Sequence, residues 1–242
     1  MLDELMDCFK RLHKDPHIRA IILSGNGKMF SGGIDLFDFQ NVATSYNTED
    51  IARRALKIRE TVTFMQQSFL TVANCQKPVI SVMHSACIGA GVDLISATDM
   101  RYCTQDAWFQ IKEVDIAIAA DMGTLQYFPE IIGNDSTFRE LVFTGRKIDA
   151  DEAKQIGFVS KVLPNFEAAK EAAIETAKLI ASKSPVAVLG AKVCMNHSRE
   201  KRIADSLKFQ AVWNSAMAQT EDVIKAAMAS ATKSESPTFD DL

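Results

Sequence analysis

The stretch Cys87-Ile88-Gly89-Ala90-Gly91-Val92-Asp93-Leu94 decides the fold of this chain, because it joins a buried strand to a helix through closely spaced glycines. The strand is predicted by the short apolar run Val79-Ile80-Ser81-Val82, which starts directly after a proline. A similar unit precedes it, in which the run Ala20-Ile21-Ile22-Leu23-Ser24 is followed by Gly33-Ile34-Asp35-Leu36 at the same spacing. The shared glycine-aliphatic-aspartate-leucine pattern predicts repeated β-turn-α units, each covering its neighbour's core.

The other predicted elements place an α/β core in residues 1–164 and an α-helical region in residues 165–242. Helical periodicity covers 1–15 and 49–75, with shorter helices near 123–127 and 136–143. Further strands are predicted at 100–103, 108–111 and 159–163. Asp149 with Glu152 forms a capping-box pattern, while Pro185 and Thr220 divide the tail into roughly three helices. The last residues, 234–242, are expected to be frayed.

Composition restricts the classes of function. The 242 residues are 47% hydrophobic, with a formal charge of -4, which does not favour nucleic acid or an anionic membrane as a partner. The five cysteines are scattered without a C-x-x-C pair and the four histidines lack metal-ligand spacing, so neither disulfides nor a metal site are predicted. No apolar stretch is long enough for a membrane span, and no targeting signal is visible.

Three carboxylates, Asp93, Glu113 and Asp121, lie in otherwise apolar sequence after the second glycine turn. The aliphatic residues at 114–120 are expected to exclude water from Glu113 and Asp121 and to raise the pKa of both towards neutrality. A carboxyl group with such a pKa can both take and give a proton. The pattern therefore favours acid–base chemistry at carbon.

The two glycine turns have two interpretations. Glycine at a helix start allows backbone N–H groups to approach a ligand, and two such groups aimed at one point form an oxyanion hole. Alternatively, the glycines only permit tight strand-to-helix turns, and Asp35 and Asp93 are helix-start acids that bind first-turn amides. Serine-nucleophile catalysis is not predicted, because Ser31 and Ser85 have no recognisable His/Asp partnership.

At the paired turns and Glu113, the sequence resembles the enoyl-CoA hydratase/isomerase (crotonase) superfamily over nearly its whole length. Residues 28–36 resemble the first oxyanion loop and 87–93 the second, which implies the amides of Ile34 and Ala90 as donors. The resemblance implies substrate-binding positions at Gly33, Ile34, Asp35, Leu36, Ala90 and Gly91. The family usually has glycine where this chain has Ala90, but a backbone donor survives that change. The implied fold is a crotonase-type spiral of repeated β-β-α units with a C-terminal α-helical trimerisation region.

Within the superfamily, the acids and the stretch 109–126 are similar to the Δ(3,5)-Δ(2,4)-dienoyl-CoA isomerase subgroup. This likeness implies that Glu113 works near C2 of the acyl chain and Asp121 near C6, with Asp93 polarising or orienting Glu113. Alternatives are a 2-enoyl-CoA hydratase, a Δ(3)-Δ(2)-enoyl-CoA isomerase or a non-catalytic scaffold. Hydratases of the family pair two glutamates at the positions of Asp93 and Glu113 and normally carry a small residue at that of Asp121.

The resemblance also implies an acyl-CoA thioester as substrate, with coenzyme A as part of it and no separate cofactor. It implies self-assembly into a trimer or a dimer of trimers, and a mitochondrial or peroxisomal location. Family members usually begin with a β-hairpin and a strand ahead of the segment at Met1, so an exposed sheet edge and a weakened CoA site are expected.

Overall fold

The computed structural model describes residues 1–35, 50–199 and 201–242. The helices are α1 Leu2–Lys14, α2 Ile51–Ala73, α3 Ala90–Ser96, α4 Thr124–Ile132, α5 Asp135–Thr144, α6 Ala150–Gln155, α7 Phe166–Ala181, α8 Pro185–Arg199, α9 Ile203–Met217 and α10 Glu221–Thr232. The strands are β1 Ile21–Ser24, β2 Val79–Met83, β3 Ala86–Ile88, β4 Met100–Thr104, β5 Trp108–Gln110, β6 Ile148–Asp149 and β7 Lys161–Leu163. A turn of 3-10 helix covers Glu113–Ile116.

Two sheets organise these elements. Four parallel strands lie in the order β1-β2-β4-β7, so that β1 is an edge strand. In the second sheet, β5 lies between β3, which is parallel to it, and β6, which is antiparallel. Ser24 pairs with Val82 in the first sheet, and Ser31 forms a parallel bridge with Cys87. The two units predicted from the sequence therefore stack side by side, which confirms the α/β fold with repeated units.

Strand β2 is buried on both faces, as expected for a central parallel strand. Val79 packs with Phe9 of α1 and Val72 of α2. The next residue, Ile80, points to the opposite face and packs with Ala169 and Ala173 of α7. The apolar faces of α1 and α2 thus cover one side of the sheet, and α7 covers the other.

The helical tail differs from the prediction in two respects. Among the described residues after 165 there are four helices rather than three, because the chain also breaks before α9. The last residues are not frayed: Asp241 accepts hydrogen bonds from Arg19 Nε and Nη2 at 2.9 and 2.7 Å, and the carbonyl oxygen of Phe239 accepts one from Arg19 Nη2 at 2.7 Å. A charged partner far away in the sequence orders this segment, which local composition cannot reveal.

An ion pair between a buried lysine and a partly exposed aspartate links the tail to the core. Lys192 of α8 is 4% exposed, and its Nζ donates to Asp99 Oδ2 at 2.6 Å and to the carbonyl oxygen of Lys77 at 3.0 Å. Asp99 Oδ2 also accepts from the backbone N–H of Val79 at 2.7 Å. The pair therefore links α8 to the start of β2.

Within the three described ranges, no helix has both the length and the apolar character that crossing a bilayer requires. The same ranges hold no cluster of three His, Cys, Asp or Glu side chains suited to a metal ion.

Candidate active site

The two glycine turns are in direct contact. The N–H of Ser31 donates to the carbonyl of Ala86 at 3.0 Å, and the N–H of Ile88 donates back to the carbonyl of Ser31 at 3.1 Å. A Cβ on Gly91 would lie only 2.7 Å from the Cβ of Ser31. Gly33 has φ +87°, and a Cβ there would lie 3.1 Å from the carbonyl oxygen of Ile88. Both glycines are therefore required for this close approach.

The amides expected to bind an oxyanion belong to these turns. Ala90 is the first residue of α3, where an N–H has no carbonyl partner within the helix. Ile34 follows Gly33 in the other turn and is 40% exposed. In the part of the chain that the structure describes, neither amide donates a hydrogen bond. Both are thus available to a ligand oxygen.

The substrate-binding positions predicted at Asp35 and Leu36 add little to the geometry of the site. Asp35 is exposed beside Ile34. Leu36 lies outside the described residues.

Glu113 lies beside the second glycine turn. The N–H of Gly89 donates to the carbonyl of Gln110 at 2.9 Å, which brings the end of β5 next to this turn. The Oε1 atom of Glu113 lies 3.1 Å from the place where a Cβ on Gly89 would be. Burial, followed by the negative charge of Asp93, raises the pKa of Glu113 to about 7. Glu113 can therefore exchange a proton near neutral pH.

Asp93 is the deepest of the three acids, with 1% of its surface exposed. Its Oδ1 accepts a hydrogen bond from the N–H of Thr124 at 2.6 Å. Burial raises the pKa of Asp93 to about 6, and the hydrogen bonding from Thr124 partly opposes that rise. Asp93 therefore connects α3 to the start of α4 and also places a negative charge near Glu113.

Asp121 lies in the irregular segment before α4, and the residue is exposed. Partial burial of its carboxyl nevertheless raises its pKa. A cavity of about 220 Å³ borders it, lined by Gln66, Leu70, Asp121, Met122, Gly123, Gln126 and Tyr127. Asp121 thus faces a space between α2 and α4 that is open to a substrate.

The three acids share one region, since the charge of Asp121 raises the pKa of both Asp93 and Glu113. The prediction that the pKa of Glu113 and Asp121 would be raised is confirmed. The expected cause is wrong in part, because residues 114–119 are exposed or only half-buried. Of the run at 114–120, Ala120 alone is buried. The packing of Glu113 against the second glycine turn replaces the predicted aliphatic shield.

Sequence reasoning missed two residues of this region. The backbone of Thr124 holds Asp93, and Gln66 Nε2 donates to the carbonyl oxygen of Asp121 at 2.6 Å. Gln66 stands three residues before the buried Phe69 on α2, so a polar residue on the inward stripe of a helix was the available signal.

Comparisons with known proteins agree with this geometry. The family described as Enoyl-CoA hydratase/isomerase matches residues 1–241. The mitochondrial Δ(3,5)-Δ(2,4)-dienoyl-CoA isomerase of Rattus norvegicus is 48% identical, over 96% of this chain and 71% of its own length. The peroxisomal Δ(3,5)-Δ(2,4)-dienoyl-CoA isomerase of Arabidopsis thaliana is 42% identical, over 95% of this chain and 83% of its own. The crystal structure of an enoyl-CoA hydratase from Bacillus anthracis superimposes with a TM-score of 0.86 at 28% identity, covering 99% of this chain and 88% of that one.

Proposed function

Because the chain belongs to the enoyl-CoA hydratase/isomerase family, we propose that it is a Δ(3,5)-Δ(2,4)-dienoyl-CoA isomerase acting on unsaturated fatty acyl-CoA in β-oxidation. The observation that carries the proposal is the third acid. Asp121 is electrostatically coupled to Glu113 and Asp93 beside the two contacting glycine turns. A reaction that removes a proton at one carbon and delivers one four carbons away needs two acids at different positions.

The proposed mechanism transfers two protons. Glu113, as carboxylate, takes a proton from C2, and the electrons form an extended dienolate with its charge on the thioester oxygen. Asp121, as carboxylic acid, gives its proton to C6, and the double bonds move from C3=C4 and C5=C6 to C2=C3 and C4=C5. Glu113 ends protonated and Asp121 ionised, so exchange with solvent restores the starting state. These steps require no metal and no redox cofactor.

The chain's backbone and Asp93 would assist these transfers. The amides of Ile34 and Ala90 would donate to the thioester oxygen as its charge develops, and each would contribute roughly 3 kcal/mol to the transition state. Burial and then the negative charge of Asp93 would keep the pKa of Glu113 close to 7. That value lies near the operating pH, where a general base is most effective.

A 2-enoyl-CoA hydratase is the second candidate, favoured by the structural likeness to the Bacillus anthracis hydratase. Asp93 and Glu113 would then handle a water molecule, and Asp121 would have no role. A Δ(3)-Δ(2)-enoyl-CoA isomerase would form a different product from both of these enzymes, and a non-catalytic scaffold would form none.

Assembly and location belong to the same proposal. The helical tail leaves large apolar side chains uncovered in a single chain, including Leu179, Met195, Ile203 and Val212 at 61, 61, 81 and 72% exposure. Contact between copies, in a trimer or a dimer of trimers, would bury such side chains. Relatives labelled mitochondrial and peroxisomal support one of these two compartments.

The test is incubation of the purified protein with 3,5-dienoyl-CoA and, separately, with 2-enoyl-CoA, followed by ultraviolet absorbance. We expect the absorbance of the conjugated 2,4-dienoyl product to appear with the first substrate. Dominant water addition to the second substrate, without isomerisation of the first, would support the hydratase. If neither substrate reacts, the result would favour the non-catalytic scaffold.

A further inference from the structure

We infer that Gln66 is a positioning residue for Asp121, which it holds through a hydrogen bond from its side-chain amide to the Asp121 carbonyl oxygen. The inference rests on the proposed function and adds a residue from a distant helix to the machinery of the second proton transfer. The bond joins Nε2 of Gln66 to the carbonyl oxygen of Asp121 at 2.6 Å.

Asp121 needs such support because its segment has no regular structure. The chain leaves the 3-10 helix at Ile116 and enters α4 only at Thr124, so neither a helix nor a strand fixes the peptide of Asp121. The segment is held at its far end, where the N–H of Thr124 donates to Asp93. It is held in the middle by α2, where Met122 packs with Phe69 and Gln66 binds the carbonyl of Asp121.

The bond acts on the direction of the Asp121 side chain. When the carbonyl of a residue is fixed, the orientation of its Cα–Cβ bond is restricted, because few backbone dihedrals remain accessible. Asp121 and Gln66 line the same cavity, so the bond sets where the carboxyl stands along that cavity. An error of about 1 Å in the position of a reacting group costs on the order of 100-fold in rate.

The test compares Gln66→Leu with Gln67→Leu. The first substitution removes the donor with little change in size. The second is a matched control on the same helix, because Gln67 is exposed and lines a different cavity, beside α1. We expect Gln66→Leu to lower kcat about 10- to 100-fold with a smaller change in KM, and Gln67→Leu to match the parent enzyme.

An isotope measurement separates positioning from general damage. In D2O, loss of C2 protons from recovered 3,5-dienoyl-CoA reports the first transfer, and product formation reports the second. If Gln66 acts through Asp121, the ratio of C2 exchange to product formation should change in Gln66→Leu in the same direction as in Asp121→Asn. A uniform decrease of both would assign Gln66 a merely structural role and overturn the inference.

Gln66→Glu gives a second readout. The glutamate side chain keeps the size of glutamine, but it loses the donor and adds a carboxylate near Asp121. Both the maximum value of kcat and its pH dependence should therefore change. Parent activity in both Gln66 variants would overturn the inference while leaving the isomerase assignment intact. A parent enzyme without isomerase activity would instead remove the proposed function itself.

Discussion

Glu113 rests against Gly89, with its Oε1 atom 3.1 Å from the position that a Cβ on that glycine would occupy. Gly89 has φ +50° and directly precedes Ala90, whose N–H is one of the two available amides of the turns. The lack of a side chain at Gly89 thus allows a proton-transfer group and an oxyanion donor to lie side by side.

Gly89→Ala should therefore damage activity more than stability. The new methyl group would push the Glu113 carboxyl away from the substrate, and kcat/KM is expected to fall at least about 100-fold. Because alanine tolerates a positive φ poorly, the substitution should also lower the free energy of unfolding by on the order of 1–3 kcal/mol. Steady-state kinetics and thermal unfolding measure the two effects.

The control is Gly133→Ala, because Gly133 has a similar φ of +64° but a Cβ there would meet nothing within 4 Å. It should lose about 1–2 kcal/mol, less than Gly89→Ala, because its ψ of 14° is left-handed helical whereas Gly89 has ψ -119°, and it should keep its activity. Equal loss of activity in the two variants would mean that backbone strain, and not the contact with Glu113, limits substitution at position 89.

Glu113→Gln and Asp121→Asn should each remove most isomerase activity and leave the fold intact, since the amides keep the shape but cannot relay protons. Asp93→Asn should cost less activity. Product formation from 3,5-dienoyl-CoA and circular dichroism test these outcomes. Full isomerase activity in Asp121→Asn would contradict the three-acid mechanism.

The pH profile should report Glu113. Because Glu113 must be ionised to take the C2 proton while Asp121 must be protonated to give one to C6, kcat/KM should be bell-shaped in pH, with the limb that reports Glu113 at an apparent pKa near 7. Asp93→Asn removes a negative neighbour, so that apparent pKa should move to lower pH. A profile unchanged by this substitution would show that Asp93 does not act on Glu113.

Asp93→Asn should also change the pH dependence of stability. The pKa of Asp93 is about 6 in the fold and 3.8 as its ordinary value, so the folded chain binds more protons between these pH values. The free energy of unfolding therefore falls as pH rises through that window. Asp93→Asn should be more stable than the parent at pH 8, by up to about 3 kcal/mol, and should lose this advantage at pH 4. Denaturant unfolding at both pH values measures the difference.

The sequence predicted what depends on local pattern. Buried strands such as Val79–Met83 have an apolar run, and the contact between the two glycine turns follows from stacking units with the same pattern. The acids were identifiable because charged residues are rare in apolar sequence. Strands as short as Ala86–Ile88 and Ile148–Asp149 have too few residues to show a period.

Contacts between distant residues could not be predicted in this way. The bond from Gln66 to Asp121 spans 55 residues, and the pairing of Arg19 with Asp241 spans 222. The inward position of Gln66 on its helix is a local signal, but nothing near it in sequence identifies Asp121 as its partner, and nothing near Arg19 identifies Asp241. The source of the raised pKa of Glu113 was missed for the same reason, since the packing that buries it involves Gly89 from another element.

The final prediction concerns the ion pair of buried Lys192 with partly exposed Asp99. Lys192→Met keeps the apolar stem and, among the described residues, leaves the Asp99 carboxylate with the N–H of Val79 alone. Because that carboxylate is 25% exposed, the chain should lose about 1–3 kcal/mol of unfolding free energy. Lys170→Met is the matched control, because the pair of Lys170 with Glu167 is exposed and should contribute little. Chemical denaturation should separate the two variants clearly. A loss for Lys192→Met no larger than that for Lys170→Met would show that apolar packing of α8, and not the ion pair, attaches the helical tail to β2.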